Sequence, residues 1–193
     1  HVGLGESADL MVVAPITANT MAKMAHGLSD DLLSVTALAA RCPVLIAPAM
    51  DGGLYQHPAT QANIDTLVKR GVNLLPPEVG RFASGLVGEG RFPDTATLLG
   101  AIRRVMGQGG SLSGRSVVVT AGGTREPLDP VRYLSNHSSG KQGYAVAQAA
   151  LDAGADVTLI STTRDLPVPF GASFVPVDTA ETMLRAVLAQ VEK

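Results

Sequence analysis

Apolar residues in this chain come in short, unbroken runs, and most runs lead into a stretch with helical spacing. The runs are 8–15 (ADLMVVAP), 42–48 (CPVLIAP), 72–76 (VNLLP), 116–121 (SVVVTA), 156–161 (DVTLIS) and 173–177 (SFVPV). Short runs rich in Val, Leu and Ile, bounded by Pro, Gly or polar residues, read as strands buried on both faces, the habit of parallel sheets. Between them the pattern predicts helices. One covers 17–25, with Gly27 as its C-cap, and a second starts at Ser29 as N-cap with acids in its first turn. A third covers 57–71, with Pro58 in the first turn and Gly71 after the last. Others cover 94–106, 141–153 and 180–191. The segment 80–91 is rich in glycine and reads as a loop.

Strands alternating with helices predict an α/β fold with helices on both faces of a parallel sheet. The alternation breaks once, at 108–114, where glycine and serine bury nothing and read as a linker. The expected architecture is therefore two three-layer, Rossmann-like domains in series, 1–107 and 115–193. In such folds ligands sit beyond the carboxyl ends of the strands. The loops of interest follow Ala14, Ala47 and Ala121.

Composition narrows the class. Of 193 residues, 46% are apolar, enough for a sizeable core, but only 4% are aromatic and Trp is absent. Val, Leu, Ile and Ala must build the interior. The net charge of −2 and the lack of a basic block argue against nucleic acid as partner. No run is long enough to cross a bilayer, and no signal peptide is visible. The lone Cys42 precludes an intrachain disulfide and fits a reducing cytoplasm. It opens a strand and reads as a buried structural thiol. The chain opens on His1 and closes just after a helix, so both ends, and both domains with them, read as cuts through a longer polypeptide.

The richest chemistry lies in 120–140, TAGGTREPLDPVRYLSNHSSG. A buried strand delivers its end into a long polar loop, and the loop delivers a Ser-Ser-Gly turn into a helix N-terminus. Free backbone N–H groups and the helix dipole collect there, which suits a phosphate or carboxylate. In the first half, 15–20 (PITANT) is a strand end running into a helix start. On its own it describes a helix cap as well as a site. Likewise 47–55 (APAMDGGLY) could be a long turn and 85–90 (GLVGEG) a plain loop, because an isolated glycine motif is weak. His26 and His57 flank helices and read as caps or packing residues.

Taken together and in order, HVGLG (1–5), PITANT, AHGLSDDLL (25–33), PAM with HPATQ (48–50, 57–61), ASG (83–85) and GEGR (88–91) resemble the flavin-dependent cysteine decarboxylases. The segment 121–141 resembles the start of phosphopantothenate–cysteine ligase. Both resemblances, in this order, match the bifunctional coenzyme A biosynthesis family. They imply FMN-dependent decarboxylation of 4′-phosphopantothenoylcysteine to 4′-phosphopantetheine. They also imply ligation of 4′-phosphopantothenate with cysteine through an acyl-nucleotide made from CTP, with Mg²⁺ accompanying the nucleotide. A cytoplasmic homo-oligomer without membrane or nucleic-acid partners is implied too.

Carried over residue by residue, His1 falls on an active-site histidine. Pro15, Thr17, Asn19, Thr20 and Met50 fall on FMN-contacting positions. Asp51 stands where an Asn usually binds substrate; a carboxylate only accepts hydrogen bonds, so it must be protonated or turned away from a substrate carboxylate. Ser84 stands where many relatives have a Cys in a substrate-covering flap, for which Phe82, Leu86 and Val87 would supply apolar cover. Asn136 matches an asparagine associated with the acyl-nucleotide, and Arg132 a cation near the acid substrate. Gly122, Gly123, Thr124, Ser138, Ser139 and Gly140 match nucleotide-contacting turns. Against this, Arg132, Asp129 and Glu126 could merely pin the loop by ion pairs, and Lys141 could be a solvated helix lysine. No metal ligand set is legible. Two other classes stay open: a non-catalytic flavoprotein regulator, invited by Asp51 and Ser84, and, well behind it, a nucleotide-binding dehydrogenase.

Overall fold

Three strands, β1 (Met11–Ile16), β2 (Val44–Pro48) and β3 (Asn73–Leu74), lie side by side in that order, all parallel. They organise the first of two compact units in the computed structural model, which describes residues 1–81, 85 and 87–191. The first unit ends at Met106 and the second starts at Gly107.

β2 shows why the sheet has two covered faces. Ile46 points to a cluster with Val13 and Ile16 of β1, Met21 and Ala25 of α2 (Ala18–His26), and Ile64 and Leu67 of α5 (Pro58–Lys69). Leu45 and Ala47, one residue out of phase, point to the opposite cluster, with Leu75 and with Ala101 and Val105 of α6 (Thr95–Gly107). One strand feeds both cores, so a one-residue slip in register would exchange them. Each large side chain sequestered this way contributes about 1.5–3 kcal/mol.

The helix ends follow their sequences with one correction. Thr17 caps α2 by accepting from the Thr20 N–H at 3.3 Å, and Gly27, at φ 72°, ends it. The next helix, α3 (Leu32–Ala39), is capped by Asp31 and not by Ser29. Asp31 accepts from Ser34 N at 2.7 Å, and Ser34 Oγ accepts from Asp31 N at 3.3 Å. Lys23 holds Asp30 and Asp31 at 2.7 and 2.9 Å, which delays the start of α3 by two residues. The Ser34 backbone N–H, then Lys23, hold the Asp31 carboxyl down at about 2. His57 caps α5, its Nδ1 accepting from Ala59 N at 3.2 Å, as a structural role requires.

Other departures have local reasons. A short helix, α1 (Val2–Ser7), precedes the first predicted element; Gly5 lets it rest on Ala39, where a Cβ would lie 2.8 Å from the carbonyl oxygen. The loop expected at 80–91 contains an antiparallel hairpin, β4 (Glu78–Arg81) with β5 (Val87–Arg91), in which Gly80 pairs with Gly88. Phe82, Ser84 and Leu86 lie outside the described residues. Val87 is exposed. Cys42 is half-buried and precedes β2 by two residues, so it is not the buried strand thiol expected.

In the second unit β6 (Ser116–Ala121), β9 (Asp156–Ser161) and β10 (Ser173–Pro176) form a parallel sheet in the order β10-β9-β6. Helix α7 (Lys141–Asp152) covers β6 and β9 through Tyr144, Ala147 and Leu151. Helix α8 (Ala180–Val191) also packs against these strands, without a fully buried residue. The long polar loop is not irregular throughout. It carries a second hairpin, β7 (Arg125–Pro127) with β8 (Tyr133–Ser135). The 108–114 segment is no free linker either. Leu112 N donates to Ala153 O at 2.9 Å, and a Cβ on Gly110 would stand 2.5 Å from that oxygen. Glycine there permits close backbone approach, a form of burial that composition does not reveal.

Candidate functional site

The carboxyl ends of β6 and β9 converge on the turn that opens α7. Gly122 has φ 85°, a conformation that strains any other residue, and its Cα faces the Thr162 and Thr163 hydroxyls. Gly123 packs on the carbonyl of Asn136, where a Cβ would meet oxygen at 2.7 Å. Gly140, at φ 72°, is the N-cap of α7, and Gly143 brings the first turn of α7 onto Ala121. Tyr144 donates its hydroxyl to Thr163 O at 2.6 Å, and Ser161 Oγ accepts from Thr163 N at 3.0 Å. These contacts lock the turn after β9 against the start of α7.

Three basins open around this turn. One of 370 Å³ lies among Asn136, Gly123, Arg125 and Tyr133. One of 730 Å³ runs along β6 and the start of α7, past Gly122, Ser139 and Gly140. A third, of 470 Å³, lies between Lys141 and the 162–166 turn. Ser138 borders all three. The α7 N-terminus presents N–H groups without intrahelical acceptors to the two larger basins, an arrangement that favours anions.

Of the residues expected here, Gly122, Gly123, Asn136, Ser138, Ser139 and Gly140 are brought together. Thr124 is half-buried in the same turn. Arg132 borders none of the three basins. It is exposed and pinned by Asp129, which accepts from Arg132 Nε at 2.6 Å and from the N–H groups of Val131 and Arg132. The Val131 N–H, then the Arg132 side chain, hold the Asp129 carboxyl below the usual carboxylate range. Glu126 accepts from Ala180 N at 2.9 Å and fastens the β7–β8 hairpin to the start of α8. The sequence reading missed Arg125, Tyr133, Thr162, Thr163 and Arg164. The Arg125 guanidinium lies 5.5 Å from the Tyr133 ring centroid. The carboxyl-end rule, applied after β9 as it was after β6, would have found the threonines.

In the first unit the carboxyl ends of β1 and β2 are adjacent, with Ile16 opposite Pro48 and Ala49 N donating to Ile16 O at 3.2 Å. Pro15, Thr17 and Asn19 are exposed there, Thr20 is half-buried, and the Thr17 and Thr20 hydroxyls are 3.2 Å apart. Met50 and Asp51 follow β2, and Met50 N donates to Gly90 O at 3.0 Å, tying this loop to β5. Asp51 caps α4 (Gly52–Tyr55), accepting from Gly53 N at 3.0 Å. One of its carboxylate oxygens is thus engaged by backbone. His1 is exposed at the start of α1 and makes no side-chain capping bond. Among the described residues its side chain makes no hydrogen bond or ion pair. Ser84 lies outside the described residues. A 180 Å³ cavity in this unit lies elsewhere, among Met24, Leu28, Leu38 and Arg70, and none of the candidates reaches it.

Among the described residues no group of three or more His, Cys, Asp or Glu side chains is poised for a metal, and no helix is long and apolar enough to cross a membrane.

Known proteins resemble the chain along both units. Residues 1–107 match the flavoprotein family model, and residues 112–193 match that of the DNA/pantothenate metabolism flavoprotein C-terminal domain. The chain is 48% identical over 192 residues to the coenzyme A biosynthesis bifunctional protein CoaBC of Mycobacterium tuberculosis, covering 97% of this chain and 46% of that protein. It is 45% identical over 192 residues to CoaBC of Bacillus subtilis, covering 98% and 47%. The chain spans about half the length of the curated relatives it matches. A solved PPC decarboxylase mutant complexed with pantothenoylaminoethenethiol is 35% identical, with TM-score 0.52, over 53% of this chain and 58% of that one.

Proposed function

Because the chain belongs to the flavoprotein family, whose model matches more than half of it, we propose that it serves coenzyme A biosynthesis through two activities. The first unit carries part of an FMN-dependent decarboxylase acting on 4′-phosphopantothenoylcysteine. The second carries part of a ligase that joins 4′-phosphopantothenate to cysteine at the expense of CTP. The observation that carries this reading is the continuous likeness to CoaBC proteins across both units.

The residues at the ends of β1 and β2 fit a flavin. With Thr20 N bonded to Thr17 Oγ1 and Met21 N to Thr17 O, the N–H groups of Ala18 and Asn19 are left to donate outward. Thr17, Asn19 and Thr20 would hold the cofactor's polar atoms, and Met50 would supply apolar cover. When bound, FMN would supply the two-electron redox chemistry that makes loss of CO₂ feasible. His1 is the candidate to orient or deprotonate substrate. Asp51, accepting from Gly53 N, caps α4 beside this site.

In the second unit the 730 Å³ basin takes the nucleotide phosphates, with Mg²⁺ as their counter-ion, against the N–H groups of α7. The 370 Å³ basin takes the acid, with Asn136 and Arg125 as donors to its carbonyl as charge develops there. Leu28, Leu32 and Leu38 on the first unit, and Leu128, Val131 and Leu134 on the β7–β8 hairpin, are each more than half exposed, which supports a homo-oligomer.

The test is turnover by the purified protein. With FMN and 4′-phosphopantothenoylcysteine, CO₂ and 4′-phosphopantetheine are the expected products. With 4′-phosphopantothenate, cysteine, CTP and Mg²⁺, the amide and pyrophosphate are expected. Flavin binding without CO₂ release would return the regulator reading to first place. Absence of CTP-dependent amide would remove the ligase reading.

A further inference from the structure

The 470 Å³ basin is used by neither of these assignments, yet its walls carry charge of both signs. Arg125, Lys141 and Arg164 line it together with Asp165 and Asp178. Arg164 faces Asp178 at 3.1 Å with both side chains more than half exposed, so the pair is weak and opens easily. The side chains of Lys141 and Asp165 have no hydrogen-bond or ion-pair partner among the described residues. A simple anion would be attracted by the cations and repelled by the two carboxylates, and a simple cation would meet the reverse. A small zwitterion satisfies both sets at once, its carboxylate meeting the cations and its ammonium the carboxylates.

We propose that this basin is the subsite for an α-amino acid, with Lys141 and Arg164 receiving its carboxylate and Asp165 and Asp178 its ammonium. Resting on the ligase reading above, the amino acid is the cysteine that supplies the amine. The placement suits that role. The basin shares Arg125, Ser138, Thr162 and Thr163 with the basin of Asn136, so an amine seated here borders the site given to the acyl group. Half-buried Leu166 offers the apolar surface a short thiol side chain needs. The Tyr144 hydroxyl, on Thr163 O, fixes the shared wall.

The test has a binding arm and a kinetic arm, both on the purified protein. Saturation-transfer NMR with L-cysteine under reducing conditions should show binding. Cysteamine, which lacks the carboxylate, and 3-mercaptopropionate, which lacks the ammonium, should each bind about tenfold or more weakly. The exposed substitutions R164Q and D165N should each weaken L-cysteine binding by about tenfold and raise its KM similarly, leaving the KM for CTP unchanged. R185Q, whose partner Glu181 is also on α8, is the control. Equal binding of the three thiols, or an unchanged cysteine affinity and KM in both variants, would overturn the proposal. Wild-type protein that binds cysteine as described but forms no amide would sink the ligase reading and leave the subsite standing.

Discussion

Gly143→Ala sets two known effects against each other at the site itself. Alanine in a helix interior is favoured over glycine by about 0.8–1 kcal/mol, so on propensity alone the change stabilises α7. The structure predicts the opposite. The new Cβ would lie 2.5 Å from Ala121 Cβ, 2.9 Å from Thr120 O and 3.1 Å from Ala121 Cα. Carbon atoms in contact prefer roughly 3.5–4.0 Å, so α7 must retreat from β6 by about 1 Å. Backbone and a strand Cβ cannot rotate aside. Overpacking of this kind costs about 1–3 kcal/mol, which leaves a net loss of about 0–2 kcal/mol and a displaced first turn. Urea and thermal unfolding of the purified protein should show reduced stability, and the KM for CTP should rise, since Ser139 and Gly140 move with α7. Adding Ala121→Gly removes the tightest clash and should recover part of both losses, read as a coupling of more than about 0.5 kcal/mol in a double-mutant cycle. A G143A protein that is more stable by about 1 kcal/mol, with the same CTP KM, would refute the reasoning.

Asp129→Ala releases the Arg132 side chain and two backbone N–H groups and should lower the thermal unfolding midpoint by a few degrees, while the KM values for 4′-phosphopantothenate and CTP stay within about twofold, since Arg132 borders none of the basins. The carboxyl of Asp129 is depressed, so its support is complete above the ordinary carboxylate value near 4 and is lost only as pH falls through the lower folded value; neutral-range activity profiles should carry no step from it. Asp31→Ala removes the capping box of α3 and should lower the first unit's unfolding midpoint by about 4 °C at pH 7. With a folded pKa of about 2 against about 4 unfolded, that difference should shrink as pH falls through this window and vanish below it, measured by thermal unfolding across pH 2–6. Thr17→Ala should weaken FMN binding about tenfold by flavin fluorescence quenching, and an unchanged affinity would dissociate the β1 turn from the cofactor.

What the sequence disclosed, and what it withheld, divides along the range of the forces involved. Strands 116–121 and 156–161 and the helix 180–191 were legible to the residue because each is dictated by its own run of side chains. The candidate turn around Ser138 was legible for a related reason: Gly122, Gly123, Asn136 and Gly140 are contiguous in one string, and each has a local task. The β7–β8 hairpin was not. Its strands are three residues long and exposed, and nothing in their composition favours pairing. Its fastening comes from Glu126 reaching the N–H of Ala180 and from Arg125 N donating to Asp178 O, partners more than fifty residues away. Sequence separation likewise hid where Thr162, Thr163 and Arg164 meet the turn. In sequence they are an ordinary strand end, and only the pairing of β6 with β9 brings Thr162 and Thr163 against Gly122. Glycine is where the two ranges meet. The 108–114 segment was read as slack because glycine has no side chain to bury, while in the folded unit the absent side chain is what lets Gly110 press against Ala153. A sequence reading that asks which backbone a glycine admits, and not only which side chain it lacks, would have placed that segment against the second unit.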